Sequence, residues 1–326
     1  GQTILVVGGA GFIGSHLCDA LVEKGARVAV VDNMSNGSKA NLKHIKQRMD
    51  IRKLDISKPF WSVALNPTFK YNGIFHLACW PRSMSLSSPT RDTEVNAIGT
   101  LNVLRLAKAH SAKMVFTSNS GIYGNPDYLP IDEKHPDKPS TPYDANKLVS
   151  EYYMKIYHRI YGVPIAICRL ATVYGERQRV KNGWAPVIPE FASRLSKGEA
   201  PTIYWDGEQT RDLIYVKDVV QGLIKAYEAD TGDETYILST GVETSINQIY
   251  QTVNEKLDAL QYTEMASGKV IPRVAGIHPK RAPMVPGDIR RMLLSYAKAE
   301  ATFGFKPEYT LEQGIENYLE WFKGEK

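Results

Sequence analysis

Residues 3–33, TILVVGGAGFIGSHLCDALVEKGARVAVVDN, decide the fold. The run TILVV has no polar alternation and so reads as a strand buried on both faces. RVAVVDN has the same texture and reads as a second such strand. Between them lies a helix, SHLCDALVEKG, closed by Gly25. Gly8, Gly11 and Gly14 mark the passage from strand to helix. The tight turn needs Gly8, close approach of a pyrophosphate needs Gly11, and helix–strand packing needs Gly14. A helix start placed there turns free N–H groups and the positive end of its dipole toward phosphates. Asp32 follows eighteen residues after Gly14 at a strand end, placed to accept both ribose hydroxyls of an adenosine half. Its charge repels a 2′-phosphate, and Asn33-Met34 bring no arginine to neutralise one. The expected cofactor is therefore NAD(H) rather than NADP(H). Asp55-Ile56, at the end of the next short strand, would flank the adenine, although Asp55 reads equally well as a helix cap.

Farther along, GIFHLAC (73–79) and KMVFTSN (113–119) repeat the buried-strand pattern around a helical stretch, DTEVNAIGTLNVLRLAKAH (92–110). A helix over 143–162 and a strand PIAICRL (164–170) follow. Strand–helix alternation of this kind gives an α/β fold with a doubly wound parallel (Rossmann) sheet and a smaller α/β carboxy-terminal substrate lobe. The expected division is a dinucleotide domain over 1–175, with 211–241 returning to it, and a substrate lobe over 176–326. The texture changes there to longer loops with Pro186, Pro189 and Pro201, and TYILST (235–240) reads as a late strand.

Bulk properties exclude several classes. The 326 residues are 43% hydrophobic and 23% charged, with a net charge of +5. No apolar run approaches the ~20 residues that span a bilayer. The opening residues carry no export signal, and Cys18, Cys79 and Cys168 are odd in number and widely spaced, which suits reduced thiols in the cytoplasm. The histidines do not fall at metal-ligand spacings, so no metal is expected. No basic run resembles a nucleic-acid arm; 278–291 is locally basic, and an anionic small molecule is the sharper reading of that charge.

The chemistry concentrates in FTSNSGIYG (116–124) and PYDANK (142–147). Tyr143 and Lys147 stand four apart at a helix start and share a face. A cation beside a phenol lowers its pKa, so that the phenolate can take a proton from a sugar hydroxyl during hydride loss.

These segments, with GGAGFIG, VVDNMSNG, FHLA, YGNPDYLPIDE, RLATVYGERQ, DGEQTRDLIYVKDVV, STGVETS and PGDIRR, resemble the extended short-chain dehydrogenase/reductase family nearly end to end. The likeness is to its NAD-dependent nucleotide-sugar epimerases and dehydratases, with a UDP-glucose 4-epimerase-like pattern. The resemblance implies dinucleotide contacts from Gly8, Gly11, Phe12, Ile13, Gly14, Asp32, Asn33, Ser35, Asn36, Gly37, Asp55, Ile56, Leu77, Ala78, Asn96, Ser118, Tyr143 and Lys147. It makes Tyr143 the base and Lys147 the bridge to the nicotinamide ribose. It gives Arg211 to the substrate diphosphate and Asp288 to the nucleotide ribose, with Trp80, Thr172, Val187 and Arg290 as further substrate contacts.

Several departures bear on the reaction. Asn119, Ser120 and Gly121 stand where dehydratases carry Thr-Asp-Glu, and decarboxylases of nucleotide-linked glucuronic acid usually have glutamate at the position of Gly121. Redox-neutral inversion at C4 of a UDP-linked hexose is what remains. Asn119 also replaces the family's Ser/Thr; an amide can bond O4 but cannot relay its proton. Either Tyr143 works alone with Asn119 orienting O4, the favoured reading, or Ser120 swings into the role. Finally, Thr172 replaces an asparagine, and Val285 a common arginine whose phosphate contact could pass to Lys280, Arg281 or Arg290. Trp80 and Trp205 are either loop packing or pocket walls.

The alternatives are a dehydratase or ketoreductase of the same family, and a noncatalytic or RNA-associated NAD-binding protein. Apolar stripes at Tyr152, Tyr153, Ile156 and Tyr157 and at Leu101, Val103, Leu104 and Leu106 read as core by default. The family's habit of pairing these two helices implies a homodimer.

Overall fold

A computed structural model describes residues 1–58, 62, 69–180, 185–266, 274, 276–284 and 288–325; Val285 lies outside them. The strands are β1 (Thr3–Val7), β2 (Arg27–Asp32), β3 (Met49–Lys53), β4 (Gly73–His76), β5 (Lys113–Asn119), β6 (Ile165–Leu170), β7 (Thr172–Tyr174), β8 (Thr202–Tyr204), β9 (Thr210–Tyr215), β10 (Thr235–Leu238), β11 (Glu243–Ser245) and β12 (Lys280–Ala282). The helices are α1 (Phe12–Glu23), α2 (Arg82–Ser85), α3 (Pro89–Asp92), α4 (Gly99–His110), α5 (Pro142–Tyr161), α6 (Val187–Leu195), α7 (Val216–Glu228), α8 (Ile246–Ala266), α9 (Ala297–Phe303) and α10 (Leu311–Gly324).

Seven strands form one sheet in the order β10-β6-β5-β4-β1-β2-β3, every pair parallel. The side chains explain why both faces are covered. Ile4, Val6, Val28, Val30 and Val115 point to one face, where Leu17 of α1 and Val219 and Leu223 of α7 bury them. Leu5, Val7, Ala29, Val31, Met114 and Ile167 point to the other, against Val103 and Leu104 of α4 and Met154 of α5. From β1 the chain goes out to β2 and β3, then returns to β4 on the opposite side. The loops diverge at that switch point, which opens a crevice beyond the carboxyl ends of the strands.

A second core joins α6, α8 and α10 to β9 through Ile188, Phe191, Ile249, Val253, Ile315 and Tyr318. Here β9 pairs with β7 and β11, and β8 pairs with β12. Residues 211–241 run from β9 through α7 to β10 at the edge of the main sheet.

Two local departures have physical causes. The stretch expected as one helix over 92–110 winds as a π-helix over Thr93–Ile98 before α4 begins. The Asn96 carbonyl in that wide turn accepts the hydroxyls of Thr100 at 2.6 Å and Ser150 at 2.7 Å. On α5, Tyr153 and Tyr157 pack on the core, but Tyr152 and Ile156 lie 57% and 43% exposed. One residue is 100° of helix, enough to turn the second pair outward.

Thr141 caps α5 by accepting the Asp144 N–H, Pro142 takes the first turn, and left-handed Gly162 ends it. Arg169 on β6 then holds the helix to the sheet. It is 5% exposed, donates Nε and Nη2 to the Glu151 carboxylate at 2.9 and 2.8 Å, and reaches Asp137 at 2.7 Å. Removing one partner of such a buried pair leaves an uncompensated charge. Arg169→Ala should lower the unfolding free energy by about 3–5 kcal/mol in denaturant titrations; a loss below ~1 kcal/mol would show that this pair does not hold α5.

Candidate active site

The crevice is a cleft of about 580 Å³. The glycine loop forms its floor. Gly8 has φ +87° and donates to the Val31 carbonyl at 2.7 Å; Gly11 donates to the Gly8 carbonyl at 3.1 Å. A Cβ on Gly8 would come within 2.6 Å of the Ala78 nitrogen, and one on Gly14 within 2.2 Å of the Gly8 oxygen. The loop is thus pressed between α1 and the end of β4, with backbone rather than side chains facing the cleft. Asp32 accepts the N–H groups of Ala10 at 3.0 Å and Met34 at 2.8 Å, and a Cβ on Gly37 would meet both of its carboxylate oxygens at 2.8 Å.

Buried polar atoms without a partner in the cleft wall include Nη1 of Arg177 and Oγ of Ser118. A glycine cradle with an arginine at one end and a hydroxyl at the other fits a dinucleotide's pyrophosphate and nicotinamide amide. All the expected dinucleotide residues line the cleft except Asn96. Asn96 is 1% exposed and braces the wall from behind. It accepts the Trp80 N–H at 2.8 Å and donates to the Trp80 carbonyl at 3.2 Å and to Asp92 at 2.9 Å. Asp55 lines the cleft as an ionised group. Burial opposes its charge, but hydrogen bonds from Ser57 and Arg91 prevail and hold its pKa below the usual value.

At the other end stand Tyr143, Lys147 and Asn119. Lys147 is anchored to the end of β5. Its Nζ donates to the Thr117 carbonyl at 2.8 Å and lies 5.7 Å from the Tyr143 ring centre. Burial lowers the lysine's own pKa. Burial also pushes the phenol well above its ordinary value, and the Cys79 thiol beside it adds to that; the side-chain contact that pulls it down is the Asn119 amide. Asn119 is firmly aimed. Its Oδ1 accepts the Ile122 N–H at 3.1 Å and its Nδ2 donates to Asp144 at 3.3 Å. Ser120 is 8% exposed and does not line the cleft.

Of the expected substrate residues, Trp80 lines the cleft; Thr172, Val187, Arg211, Asp288 and Arg290 stand outside its wall. Arg211 and Asp288 are ion-paired to each other, and Arg211 also donates to the carbonyls of Thr210 and Ile289, both at 2.7 Å. Arg290 pairs with Asp206 at 2.7 Å and lies over the Trp205 ring at 4.4 Å, while Arg281 donates to the Asp206 carbonyl at 2.9 Å. Sequence reading missed Cys79, Arg82 and Arg177, all in the wall. Arg177 could have been found in YGERQ, where an arginine follows the end of a strand; nothing local marks the other two.

Residues 5–318 match the family model described as GDP-mannose 4,6 dehydratase. The chain belongs to this family of NAD-dependent nucleotide-sugar epimerases and dehydratases. It is 36% identical over 326 residues to a putative UDP-glucose 4-epimerase of Methanocaldococcus jannaschii, covering 98% of each chain. It is 33% identical to UDP-glucuronic acid decarboxylase 3 of Arabidopsis thaliana, over 96% of this chain and 86% of that one. The crystal structure of a Thermus thermophilus UDP-glucose 4-epimerase complexed with NAD superposes with a TM-score of 0.85 at 31% identity, covering 99% of both chains. The cofactor is NAD. Among the described residues no group of three or more His, Cys, Asp or Glu side chains could hold a metal ion, and no helix is long and apolar enough to cross a membrane.

Since a Cβ at position 14 collides with backbone, Gly14→Ala should lose bound NAD. Dinucleotide released on denaturation should fall well below that of the parent; an unchanged stoichiometry would refute the cradle.

Proposed function

We propose that the protein is an NAD-dependent nucleotide-sugar 4-epimerase that inverts C4 of a UDP-linked hexose. Held by the Gly8–Gly14 loop and Asp32, bound NAD would supply reversible hydride exchange at C4, through a 4-keto sugar whose other face could be reduced. The chain's residues handle the proton. Tyr143 removes it from the C4 hydroxyl and gives it back, and Asn119 stabilises the phenolate by donating an N–H to it. Lys147, fixed by the Thr117 carbonyl, keeps a positive charge at the same end of the cleft.

The observation that carries this reading is what surrounds Gly121. Dehydration or decarboxylation in this family draws on carboxylates at positions that here hold Ser120 and Gly121. The carboxylate packed against Gly121 is that of Asp144, which is fully buried and committed to Thr141, Asn119 and Arg82. Proton handling at C4 alone is what this end of the cleft supports. The UDP-glucose 4-epimerase names among the relatives support the nucleotide and the carbon.

Val149, Tyr152, Ile156 and Ile160 form an exposed apolar face on α5. Such a face on one helix favours burial against a second copy across a two-fold axis, so we propose a homodimer. The free thiol of Cys79 at the cleft suits a reducing, cytoplasmic setting.

Proton NMR of product sugars across UDP-, dTDP-, GDP- and CDP-hexoses tests the reaction. Tyr143→Phe should lose roughly 10²–10⁴ in turnover while keeping its NAD; turnover at the parent rate would remove Tyr143 from the mechanism. The base must be ionised to act, so with a phenol pKa raised by burial the rate should climb with pH on the alkaline side. Asn119→Ala removes the N–H that favours the phenolate and should move that limb of the kcat/KM profile to higher pH. A limb that stays in place would assign it to another group.

A further inference from the structure

Arg82 opens α2 directly after Pro81, lines the cleft, and plays no part in handling the C4 proton. Its side chain is 47% exposed, yet it is anchored. Nε donates to the Asp144 carboxylate at 3.2 and 3.4 Å, and Nη2 donates to it at 3.2 Å. Asp144 follows Tyr143 in α5, is 0% exposed, and also takes the Thr141 hydroxyl at 2.7 Å and the Asn119 amide at 3.3 Å. Gly121 provides the room, since a Cβ there would stand 2.5 Å from Asp144 Oδ1.

A guanidinium has five N–H donors and two edges that can receive a carboxylate. Asp144 occupies the Nε/Nη2 edge. The Nη1/Nη2 edge has no protein partner among the described residues, and its position is fixed by a buried anchor. Arg82 also lies near enough to Arg211 for the two charges to repel, which counts among the influences lowering the pKa of Arg211 after burial. Arg211 lies outside the cleft wall and is paired with Asp288, so the guanidinium edge that Arg82 presents to the cleft is the one that favours an anion there.

We propose that Arg82 is a specificity-determining residue that takes an anionic substituent of the hexose in a paired, charge-assisted hydrogen bond, making nucleotide-linked uronic acids the preferred substrate class. The inference rests on the epimerase reading given above. The hexose carboxylate is favoured over the diphosphate because Arg82 reaches Tyr143 through two short links. Asp144 is the next residue in the chain, and Asn119 bonds Asp144 and contacts the phenol. Arg82 therefore belongs to the reacting end of the cleft, whereas Arg211 is fixed by Asp288 in the carboxy-terminal half.

The test uses NAD-loaded enzyme with UDP-glucuronate, UDP-glucose and UDP. Affinities are read by calorimetry and turnover by NMR. The parent should bind and turn over the uronate in preference to the neutral sugar. In Arg82→Met the selectivity ratio, kcat/KM for uronate over glucose, should fall roughly 100-fold, mostly through KM. Because that variant strands the Asp144 charge, the double variant Arg82→Met/Asp144→Asn serves as a second probe and should show the same loss of selectivity. Equal weakening of all three ligands would place Arg82 on the diphosphate and overturn the proposal, as would a parent that prefers UDP-glucose. Uronate-selective binding that depends on Arg82, without any epimer formed, would support the role of Arg82 and defeat the epimerase reading.

Discussion

One buried ammonium organises the reacting end of the cleft. Lys147 is 2% exposed, bonded to the Thr117 carbonyl at the end of β5, with its charge 4.6 Å from the Phe116 ring centre. Taking a lysine out of water is costly, and its lowered pKa registers that cost. The charges of Asp92 and Glu151 offset part of it. The contact joins the first turns of α5 to the carboxyl end of β5, on the flank of the topological switch point. Tyr143, one helical turn earlier, and Asn119, two residues after Thr117, are brought together as a result. Together with the Asn119–Asp144 bond, that link brings the phenol and the amide of two distant segments to one place.

The residues around this link are mutually adjusted. Asn119 cannot relay a proton, but it donates N–H bonds to Asp144 and toward the phenol, and its oxygen caps the following turn. Asp144 fits because position 121 is glycine, and its charge is tolerable because Arg82 and Thr141 meet it. Changing one member alone leaves a buried charge or an unfilled space. The departure at Asn119 is therefore one part of a local arrangement that spans three segments, and in the proposed mechanism it leaves proton exchange to the phenol.

Much of the fold was legible because its signals are local. Apolar runs without alternation specify strands covered on both faces, and three glycines followed by Asp32 specify the nucleotide end. The four-residue spacing of Tyr143 and Lys147 placed them on one face. Contacts between distant segments were not legible. Asn96 braces the Trp80 backbone sixteen residues away instead of facing the cleft, and Arg82 meets a carboxylate sixty-two residues away. The pairing of Arg211 with Asp288 joins residues seventy-seven apart, and no pattern near either one announces it. The phenol's burial was likewise not legible: spacing shows that a cation shares its face, whereas burial in the folded chain pushes its pKa up.

In the proposed mechanism hydride leaves and returns to a single carbon while one phenol holds the proton. Turnover of a UDP-hexose carrying deuterium at C4, in ordinary water, measures this directly by mass spectrometry and NMR. The inverted sugar should keep its deuterium at C4 and, in heavy water, no solvent deuterium should enter C3 or C5. Loss of the label to water, or solvent deuterium at C5, would contradict this mechanism and point to elimination chemistry in its place.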